Sequence, residues 1–406
     1  MNTDSRESRV NFRVVVVGAG IGGLSAAIAL ANRGHTVLVL EATAQLLHVG
    51  AGVALPPTTR KWYEGEGVFH PDNNSLCVAL EGIELVKWDT GSLVTRSVAN
   101  ALGKQNAIHH GDMQLALLSR ARQLSNVEIR TGARVFDVDI DTNTVILTNQ
   151  ERIQGYDLII AADGPTGEAA YRFTLDRSLL ESDAELLALV QHSWATRWDG
   201  PARHVVAYPV RNHQLLNVVL IHPDDGDISG ESWTSVTEKE NVVADFEGWD
   251  PRLIKLIALA PAQVPNFRMF AHPPSPSWFK GTTVLLGDAC HAMLPYLGQG
   301  VAQAVDDSAA IAAVLSTIDS VKQIPLALQA YEESRKERVE QIQAATLQAR
   351  KHLHAKDEKA QTERDAERKK AAQINENSDV VKMQHSYWQW NAAEVARSAL
   401  SRLVAA

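Results

Sequence analysis

The chain has 406 residues, of which 45% are hydrophobic and 21% charged, and its formal net charge is −9. This is an ordinary globular composition, and the negative charge argues against nucleic acid or an anionic membrane surface as the main partner. No apolar run approaches the roughly 20 residues that span a bilayer, and the presence of only two cysteines, Cys77 and Cys290, excludes a disulfide framework and a cysteine zinc site.

The N-terminal region predicts a strand, a glycine-rich turn, a helix and a second strand within residues 13–41. Before this unit, the first twelve residues are polar and lack the apolar stretch of a signal peptide, so we expect a cytoplasmic protein. The β-branched run RVVVV is typical of a strand buried on both faces of a parallel sheet, and HTVLVLE has the same character. Between them, LSAAIALANRG has the composition of a helix.

The turn of this unit carries the spacing of a dinucleotide-binding motif. Gly18 permits the tight turn, Gly20 lets backbone amides approach a pyrophosphate, and Gly23 allows the helix to pack closely on the strand. We expect the pyrophosphate at the helix N-terminus, where unpaired amides and the helix dipole favour an anion. Glu41, at the end of the second strand, is placed to accept both ribose hydroxyls and to repel a 2′-phosphate. These residues alone do not separate NAD from FAD.

Later segments extend this sheet and add a second one. YDLIIAAD and TTVLLGD are short apolar strands that each end on an acid, Asp163 and Asp288. Residues 175–280 instead contain strand-like segments separated by a turn-prone RNH, which predicts a second, β-rich layer that faces the nucleotide-binding domain.

The C-terminal part of the chain is predicted to be helical. Its stretch ARKHLHAKDEKAQTERDAERKKAAQ has hardly any large apolar residues, so we expect a solvated helix or a disordered segment rather than a basic binding site. The aromatic cluster SYWQWNAAEVA near the end is expected to dock back on the body of the protein.

A long segment, LLGDACHAMLPYLGQGVAQAVDDSAAIAAVL, resembles the second FAD motif of the flavoprotein aromatic hydroxylases, the family with the para-hydroxybenzoate hydroxylase fold. The resemblance is closest to the salicylate-hydroxylase-like branch and extends along nearly the whole chain. It implies that Asp288 holds a ribityl hydroxyl of FAD and that the loop from Pro295 through Gly298 to Gly300 passes beside the flavin ring. The helix that follows, with Val301 in its first turn, would point its N-terminus at the pyrimidine end, where reduced flavin carries negative charge.

Other segments agree with the same resemblance. The stretch GAGVALPP implies that Gly52 and Val53 lie beside the flavin. HHGDMQLALL places His110 where the family has an arginine that contacts FAD. The segment WDGPARHVVAYPVR resembles a substrate-domain strand of the salicylate-type enzymes.

The chain departs from the family at a motif that serves both FAD and the passage of NAD(P)H. The motif keeps Asp163, which is expected to bind FAD, but has Gly167 and Ala170 in place of the family's serine and arginine. Arg172, two positions further on, could substitute for the arginine. We therefore expect FAD binding to survive these departures, whereas they put reduction by NADH or NADPH in doubt.

The predicted fold class is α/β, a Rossmann-like FAD-binding domain with an interleaved β-sheet substrate domain and a helical C-terminal region. We expect the FAD-binding domain at 1–174, with an excursion into the substrate domain at about 70–105, and again at 281–330. The β-rich substrate domain is expected at 175–280 and the helical C-terminal region at 331–406.

The resemblance implies an FAD-dependent monooxygenase that hydroxylates or epoxidises a phenol- or indole-like aromatic substrate. In such enzymes NADH or NADPH reduces FAD, molecular oxygen adds to form a flavin C4a-hydroperoxide, and the terminal oxygen passes to an electron-rich ring. The protein positions the ring and excludes water, and no metal is required. The expected partners are therefore FAD, a nicotinamide reductant, molecular oxygen and a small aromatic substrate.

Two residues of the segment RHVVAYP are candidates for the chemistry. His204 and Tyr208 lie four apart, and residues an even number apart on a strand project from the same face, so both can face the flavin. The resemblance to the salicylate-type hydroxylases implies that both contact the substrate hydroxyl, with His204 as the base and Tyr208 as its polar companion. Histidine suits this task because its pKa lies near neutrality. The alternative is a sheet histidine satisfied by a neighbour and a tyrosine that fills core.

Other polar and aromatic residues near these motifs have two interpretations. His291 is expected to support the loop that follows Asp288 rather than to react. Arg211 could pair with a substrate carboxylate or be an exposed turn residue. The tryptophans Trp194, Trp198 and Trp233 could line a pocket for a large polycyclic aromatic, but core positions are favoured for at least two of them.

Two further functions stay open on the sequence. The altered middle motif would suit a drifted flavoprotein that acts as an oxidase, or that catalyses a non-redox rearrangement or cyclisation without NADH or NADPH. A non-catalytic partner protein that keeps the fold is the weakest alternative, because nearly every apolar and glycine position of the FAD site is retained.

Overall fold

The structure, a computed structural model of the chain, describes residues 10–46, 52–70, 75–98, 103–163, 170–223, 234–267, 273–373 and 386–406. Its strands are, in chain order, β1 (Arg13–Val17), β2 (Thr36–Leu40), β3 (Gly52–Leu55), β4 (Cys77–Ala79), β5 (Gly82–Lys87), β6 (Leu93–Val98), β7 (Asn106–His109), β8 (Val127–Arg130), β9 (Val135–Asp139), β10 (Thr144–Leu147), β11 (Arg152–Ile153), β12 (Leu158–Ala161), β13 (Ala170–Asp176), β14 (Trp194–Gly200), β15 (Arg203–Val210), β16 (Leu215–Ile221), β17 (Thr234–Glu238), β18 (Gln263–Phe267), β19 (Phe279–Lys280) and β20 (Thr283–Leu285). Its helices are α1 (Ile21–Ala31), α2 (Pro57–Gly65), α3 (His110–Gln123), α4 (Ala184–Gln191), α5 (Lys239–Asp245), α6 (Pro251–Ala258), α7 (Asp288–His291), α8 (Gly300–Leu315), α9 (Ile324–Leu353), α10 (Glu358–Gln373) and α11 (Ala392–Ala405), with 3-10 helices at Arg177–Leu179, Pro295–Leu297 and Val321–Gln323. Within the described ranges, no helix is both long and apolar enough to cross a bilayer.

The N-terminal strands build a six-stranded sheet with the order β19-β20-β12-β1-β2-β8. Neighbouring strands run parallel except β19 and β20, which are antiparallel. The β-branched run of β1 is buried from Val14 to Val17, as expected of a central parallel strand. Because the carboxyl ends of β1, β2 and β12 meet at one edge, the glycine-rich turn, Glu41 and Asp163 come together there.

Helix α1 is apolar almost all round because it lies against both this sheet and α8. Gly22 lets the two helices approach closely, since a Cβ built on it would lie 3.1 Å from Leu286 Cδ2 and 3.4 Å from the Cβ of Ala304. Helices α9 and α11 also pack against α8, and Ala396 and Leu400 of α11 are buried there. The C-terminal aromatic and apolar segment thus docks on the body of the protein as predicted.

The middle of the chain builds an eight-stranded sheet with the order β17-β18-β13-β16-β15-β14-β5-β6. Its pairs are antiparallel except for β14 and β5, which run parallel. Smaller three-stranded sheets have the orders β11-β10-β9 and β3-β7-β4. The predicted α/β fold, with a second sheet interleaved between segments of the first and a helical C-terminal region, is confirmed. The domain boundaries drawn from the sequence stay predictions.

Alternation along β15 gives the eight-stranded sheet two different faces. Val205 and Ala207 point into a core formed with α4, α5 and α6. The even-numbered residues from His204 to Tyr208 project from the opposite face, which we call the inner face. One part of the inner face packs on the sheet β3-β7-β4, and another part contacts the loop between α7 and α8. We call residues 287–300 the flavin loop after their expected role.

A buried carboxylate, that of Asp307, joins the flavin loop to helices α8 and α9. One of its oxygens accepts hydrogen bonds from the Gly287 N–H at 3.0 Å and from His291 Nε2 at 2.6 Å, and the other accepts from Arg335 Nε at 2.8 Å. Burial by itself would raise the pKa of Asp307, but His291 and Arg335 hold it at about 2. Arg335 also donates to the Gln303 side-chain oxygen at 2.7 Å. The loop therefore rests on an ion pair that is fully enclosed.

The charged C-terminal stretch forms helix α10, and most of its described residues are exposed, as expected of a solvated helix, but one side of the helix is docked on the sheet. Helix α10 contacts β6 at the edge of the eight-stranded sheet. Arg368 of α10 forms an ion pair with the buried Asp199 carboxylate of β14 at 2.5 Å, and Gln361 accepts a hydrogen bond from Trp88 Nε1 at 3.1 Å. A helix with few apolar residues can dock in this way when a distant part of the chain supplies a buried charge of opposite sign.

We expect Asp307→Asn to lower the free energy of unfolding by about 3–5 kcal/mol, because it removes the carboxylate that the buried guanidinium of Arg335 binds directly and leaves only Asp306, at 3.7 Å, as a counter-charge. Chemical denaturation followed by tryptophan fluorescence measures this loss. The matched control is Glu81→Gln, which breaks the ion pair with Lys104 on the protein surface and is expected to cost no more than about 1 kcal/mol. Equal losses in the two variants would contradict the assignment of a central role to Asp307.

Candidate functional site

The glycine-rich turn between β1 and α1 has the shape that the sequence motif predicts. Gly18 has a φ of +99°, a conformation that favours glycine, and a Cβ built there would lie 2.8 Å from the Ala162 carbonyl oxygen. A Cβ on Gly23 would lie 2.1 Å from the carbonyl oxygen of Gly18. In contrast, a Cβ on Gly20, the N-cap residue of α1, would meet no heavy atom of the described residues within 4 Å. The space in front of α1 therefore fits a pyrophosphate.

Glu41 is held in a fixed orientation at the end of β2. Its Oε2 accepts the backbone N–H of Ala19 at 2.9 Å, and its Oε1 accepts the N–H and the hydroxyl of Thr43, each at 2.8 Å. Since a carboxylate accepts about four hydrogen bonds, Glu41 keeps capacity for one more donor. The arrangement suits one ribose hydroxyl, whereas the sequence motif alone suggests both.

The flavin loop begins and ends beside the same turn. Leu286, which precedes the loop, and Ala304, which follows it, both lie close to Gly22 of α1. This brings Asp288, an exposed residue at the start of α7, and the N-terminus of α8 near the start of α1. Asp288 is thus placed at the opening that the sequence motifs assign to FAD.

The part of the flavin loop before α8 presents backbone rather than side chains. Pro295 opens a 3-10 helix that ends at Gly298, which has a φ of +61°. Neither Gly298 nor Gly300 has a heavy atom of the described residues within 4 Å of a built Cβ, and Val301 lies in the first turn of α8. An open surface of this kind fits the approach of a flat ring system, and the helix N-terminus beside it favours negative charge.

Helix α3 adds residues to the same region. His110 is its first residue, and Gln114, one turn further on, donates a hydrogen bond to the Ala19 carbonyl oxygen at 2.9 Å. The sequence motif identified His110 as the position of an FAD-contacting residue, but it did not identify Gln114. Asp163 follows β12, and its Cα is 3.2 Å from the Cβ position of Gly18. The residues that the sequence assigns to FAD lie in the N-terminal unit, in α3 and after β12. They therefore surround the same glycine-rich turn between β1 and α1.

The inner face of the eight-stranded sheet carries the candidate catalytic residues in rows of cross-strand neighbours. These rows are Asp199, His204, Ile221 and Ala170; Arg197, Val206, Val219 and Arg172; and Tyr208, Asn217 and Thr174. The middle of this face is apolar, and Ala170, Val219 and Ile221 form a small cluster against which Tyr296 of the flavin loop packs. An apolar patch beside His204 thus faces the loop that is expected to hold the flavin.

His204 meets two other rings that come from distant parts of the chain. Its Nδ1 lies 2.8 Å from Nε2 of His354, which follows the last residue of α9. The ring centroids of His204 and His354 are 5.0 Å apart, and Tyr296 lies 5.5 Å from the first and 5.4 Å from the second. No described residue is hydrogen-bonded to the other nitrogen of His204, Nε2.

Burial keeps both histidines of this pair neutral at pH 7. It lowers the pKa of His204 to about 3, even though the Asp199 carboxylate acts in the opposite direction. Burial, together with the charge of Arg350, lowers the pKa of His354 to about 4. Because both rings are neutral, the hydrogen bond between them contains one proton, and the remaining His204 nitrogen is either a donor or an acceptor according to the tautomer.

Tyr208 lies on the same face as His204, as predicted, but two cross-strand rows away from it. Four residues along a strand separate their Cα atoms by about 13 Å. The Tyr208 ring covers Gly52, where a Cβ would lie 2.5 Å from Tyr208 Cε2 and 2.7 Å from its hydroxyl oxygen. Gly52 also donates its N–H to Asn217 Oδ1 at 2.6 Å, so β3, with Gly52 and Val53, is fixed to the sheet at this point. The tyrosine next to His204 is Tyr296.

Ala170 stands where the family has an arginine. It is fully buried in β13, and its side chain cannot supply a cation. Arg172, two residues further on, projects from the inner face in the row of Val219. Burial raises the pKa of the Tyr208 hydroxyl, and the charge of Arg172 offsets part of this effect. Arg172 therefore lies near the predicted site. Gly167, the other departure, lies outside the described residues.

Several secondary candidates have structural roles. Arg211 binds Asp112 of α3 through two hydrogen bonds, of 2.6 and 2.7 Å, so it clamps the sheet to α3 and is not available to a substrate carboxylate. Trp198 is fully buried on the core face, where its Nε1 donates to Asp250 at 2.7 Å. Trp194 is partly buried with Arg96 stacked over its ring. Trp233 lies outside the described residues.

Three potential metal ligands, on Cys290, His291 and Asp307, lie within 4.8 Å of one another among the described residues. The Asp307 carboxylate is already bound by Gly287, His291 and Arg335, so this cluster supports the loop, as the sequence led us to expect for His291.

Comparison with known proteins gives the chain a family. A sequence profile described as an FAD binding domain matches residues 11–346. An FAD-dependent monooxygenase, ntnJ from a Nectria species, is 67% identical over 100% of both chains. A 3-hydroxybenzoate 6-hydroxylase from Polaromonas naphthalenivorans is 28% identical over 86% of this chain and 90% of its own. Among solved structures, a salicylate hydroxylase substrate complex superposes with a TM-score of 0.77 at 21% identity, covering 97% of this chain and 98% of its own.

Replacing Gly52 by alanine is expected to destabilise the protein by about 1–3 kcal/mol, because the added methyl group overlaps the Tyr208 ring. It is also expected to weaken FAD binding, which quenching of flavin fluorescence on titration measures. The second substitution Tyr208→Leu removes the overlap and is expected to restore part of the stability. If the double variant is no more stable than Gly52→Ala alone, the Tyr208 ring is not the obstacle.

The histidine pair is expected to make the protein sensitive to acid. The unfolded chain binds a proton at each histidine near pH 6.5, whereas the folded protein does so only near pH 3 for His204 and pH 4 for His354. The free energy of unfolding should therefore fall as the pH drops from about 6.5 to about 4.

Denaturation at a series of pH values, compared between wild type and His354→Gln, tests this expectation. The variant should show a weaker pH dependence over that range. Other buried groups such as His35 and Asp306 also titrate there and cancel in the comparison. Identical slopes in the two proteins would contradict the expected effect of the pair.

Proposed function

This chain belongs to the FAD-binding-domain family and is an FAD-dependent monooxygenase, and on that premise we propose that it hydroxylates a phenol-like aromatic substrate with NADH or NADPH as reductant. The relative named 3-hydroxybenzoate 6-hydroxylase supports this substrate class, because 3-hydroxybenzoate is itself a phenol. The glycine-rich turn, Glu41, Asp288 and the open surface at Gly298 would hold FAD. When bound and reduced by NADH or NADPH, FAD would activate molecular oxygen, of which one atom passes to the substrate ring and the other leaves as water.

The observation that carries the proposal is the position of His204. It lies buried on the inner face, beside the apolar cluster of Ala170, Val219 and Ile221, and Tyr296 of the flavin loop packs on both. A flat ring over this cluster would have its hydroxyl within reach of the histidine and its face toward the loop. Burial also excludes water from the reacting groups.

In the proposed reaction His204 Nε2 accepts the hydrogen bond, and then the proton, of the substrate hydroxyl. Withdrawal of this proton raises the electron density of the ring, which favours attack on an electrophilic oxygen. The imidazole is neutral at pH 7 and can therefore accept the hydrogen bond. Because burial lowers its pKa to about 3, it is a weaker base than the near-neutral histidine expected from the sequence, and it takes up the proton only as oxygen attack on the ring makes the hydroxyl strongly acidic. The buried Asp199 carboxylate, the cross-strand neighbour of His204, would stabilise the imidazolium that forms.

We propose for Tyr208 a role other than the one inferred from the sequence. Its position over Gly52 suits it to support β3 and the far end of the substrate rather than to share the reacting hydroxyl with His204. We propose Tyr296 as the tyrosine that borders the reacting end of the ring. Arg172, one of two arginines on this face, would take the place of the family's missing arginine.

Anaerobic stopped-flow spectroscopy of the FAD-loaded protein tests the function. We expect NADH or NADPH to bleach the flavin, and a matching phenol from a panel of phenols and indoles to accelerate bleaching. A flavin that stays oxidised with both reductants across the panel would contradict the proposal. It would favour an oxidase or a non-redox reaction, which the substitution of arginine by Ala170 leaves room for.

Removal of the base is expected to separate catalysis from cofactor binding. His204→Ala should retain FAD and lower turnover at least ~100-fold, the lower end of the range for loss of a general base. The matched control is His352→Ala, which removes an exposed histidine near the end of α9. Turnover of His204→Ala close to that of the control would remove His204 from the mechanism.

A further inference from the structure

We propose that His354, supplied by the C-terminal helical region, is a positioning residue that fixes the tautomer of His204 and so makes its Nε2 an acceptor. This proposal rests on the proposed function of His204. It assigns the C-terminal helices a direct part in the substrate site, whereas the sequence suggests only a solvated charged segment.

The tautomer matters because only one of two arrangements can accept a proton. If His204 Nδ1 carries the hydrogen and donates it to His354 Nε2, then His204 Nε2 has a free lone pair. If His354 Nε2 is the donor, His204 carries its hydrogen on Nε2 and can only donate to a substrate. A base at Nε2 therefore requires His354 to be the acceptor of the 2.8 Å hydrogen bond.

Charged residues surround the pair and act on both rings. Asp199 is the strongest charge acting on His204, whereas Arg350 is the strongest charge acting on His354 and Asp199 is the second. The charged and titratable groups that face the pair are Asp199 and Arg197 on β14, Tyr296 in the flavin loop, Arg350 on α9, and Arg364 and Arg368 on α10.

Arg364 holds the end of α9 in the position that this contact needs. It is almost fully buried, and it donates to the Leu353 carbonyl oxygen at 3.2 Å and to the Asp199 carbonyl oxygen at 2.9 Å. These carbonyls belong to the residue before His354 and to the cross-strand neighbour of His204. One guanidinium thus bridges the two backbone segments that carry the imidazole pair, which marks His354 as a fixed residue and not a frayed helix end.

The first measurement is NMR of the FAD-loaded full chain labelled with [15N]histidine, which distinguishes protonated from unprotonated ring nitrogens. The His204 signals are identified by their loss in His204→Gln. We expect hydrogen on Nδ1 and none on Nε2 in the wild type. A wild-type His204 with hydrogen on Nε2 would overturn the proposal, whatever the fate of any variant.

The second measurement compares His354→Phe, His354→Gln and the control His352→Phe. Loss of the acceptor in His354→Phe should allow both His204 tautomers and lower kcat about 10- to 100-fold, the usual cost of removing an orienting partner. KM and FAD affinity should change little. The amide oxygen of His354→Gln can still accept from Nδ1, so this variant should keep the tautomer and most of the turnover. The proposal would be overturned if His354→Phe had the same His204 tautomer and the same kcat as His352→Phe.

The two proposals fail in distinguishable ways. The tautomer is read without substrate, so an enzyme that hydroxylates no phenol can still show the dependence on His354. Conversely, loss of turnover in His204→Ala with an unchanged tautomer in His354→Phe would leave His204 as the base and remove His354 from its control.

Discussion

The buried carboxylate of Asp307 is the interaction on which the cofactor side of the structure depends. It binds the first amide of the flavin loop, a histidine within that loop and an arginine of α9, and it lies on α8 itself. An ionised group in so enclosed a position is tolerated only because every oxygen has a donor and a full counter-charge. The backbone that is expected to face the flavin can therefore be open, with glycines at its surface, while the residues beneath it are held rigidly. Cofactor binding then needs little ordering of the loop, which preserves affinity.

A second buried acid, Asp199, organises the substrate side in a comparable way. Its carboxylate binds Arg368, its carbonyl oxygen binds Arg364, and its cross-strand neighbour is His204. The same residue thus fixes α10 to the sheet and supplies negative charge behind the candidate base. The alternation of β15 separates the core from the candidate site, because core residues project from one face and the candidate catalytic residues project from the other. A stable sheet and a polar site are built from the same strands, β14, β15 and β16, of seven or eight residues each.

The sequence was most informative where structure is local. The unit β1–α1–β2 could be predicted because its turn, its helix start and its acid are set by spacing within about thirty residues, and the resemblance carried Asp288 and the flavin loop. His204 and Tyr208 were correctly assigned to one face by strand periodicity, but periodicity gives no information on what stands opposite, so Tyr296 and His354 were missed. The docking of one side of helix α10 was missed for a related reason. Its arginines are ordinary solvated residues unless Asp199, 165 residues away for Arg364, is buried beneath them.

Helix α9 runs along the whole length of the flavin loop. Arg335 holds the beginning of the loop through Asp307, Gln343 donates to the Ala292 carbonyl oxygen at 3.1 Å, and His354 reaches the Tyr296 ring. Nineteen residues of helix separate the first contact from the last, a distance of roughly 28 Å. Because each residue of a helix adds about 100° of rotation and 1.5 Å of rise, one inserted or deleted residue would turn His354 away from His204 while Arg335 stayed in place. The number of residues between Arg335 and His354 is therefore constrained. The exposed residues of this segment can be substituted, but its length cannot change.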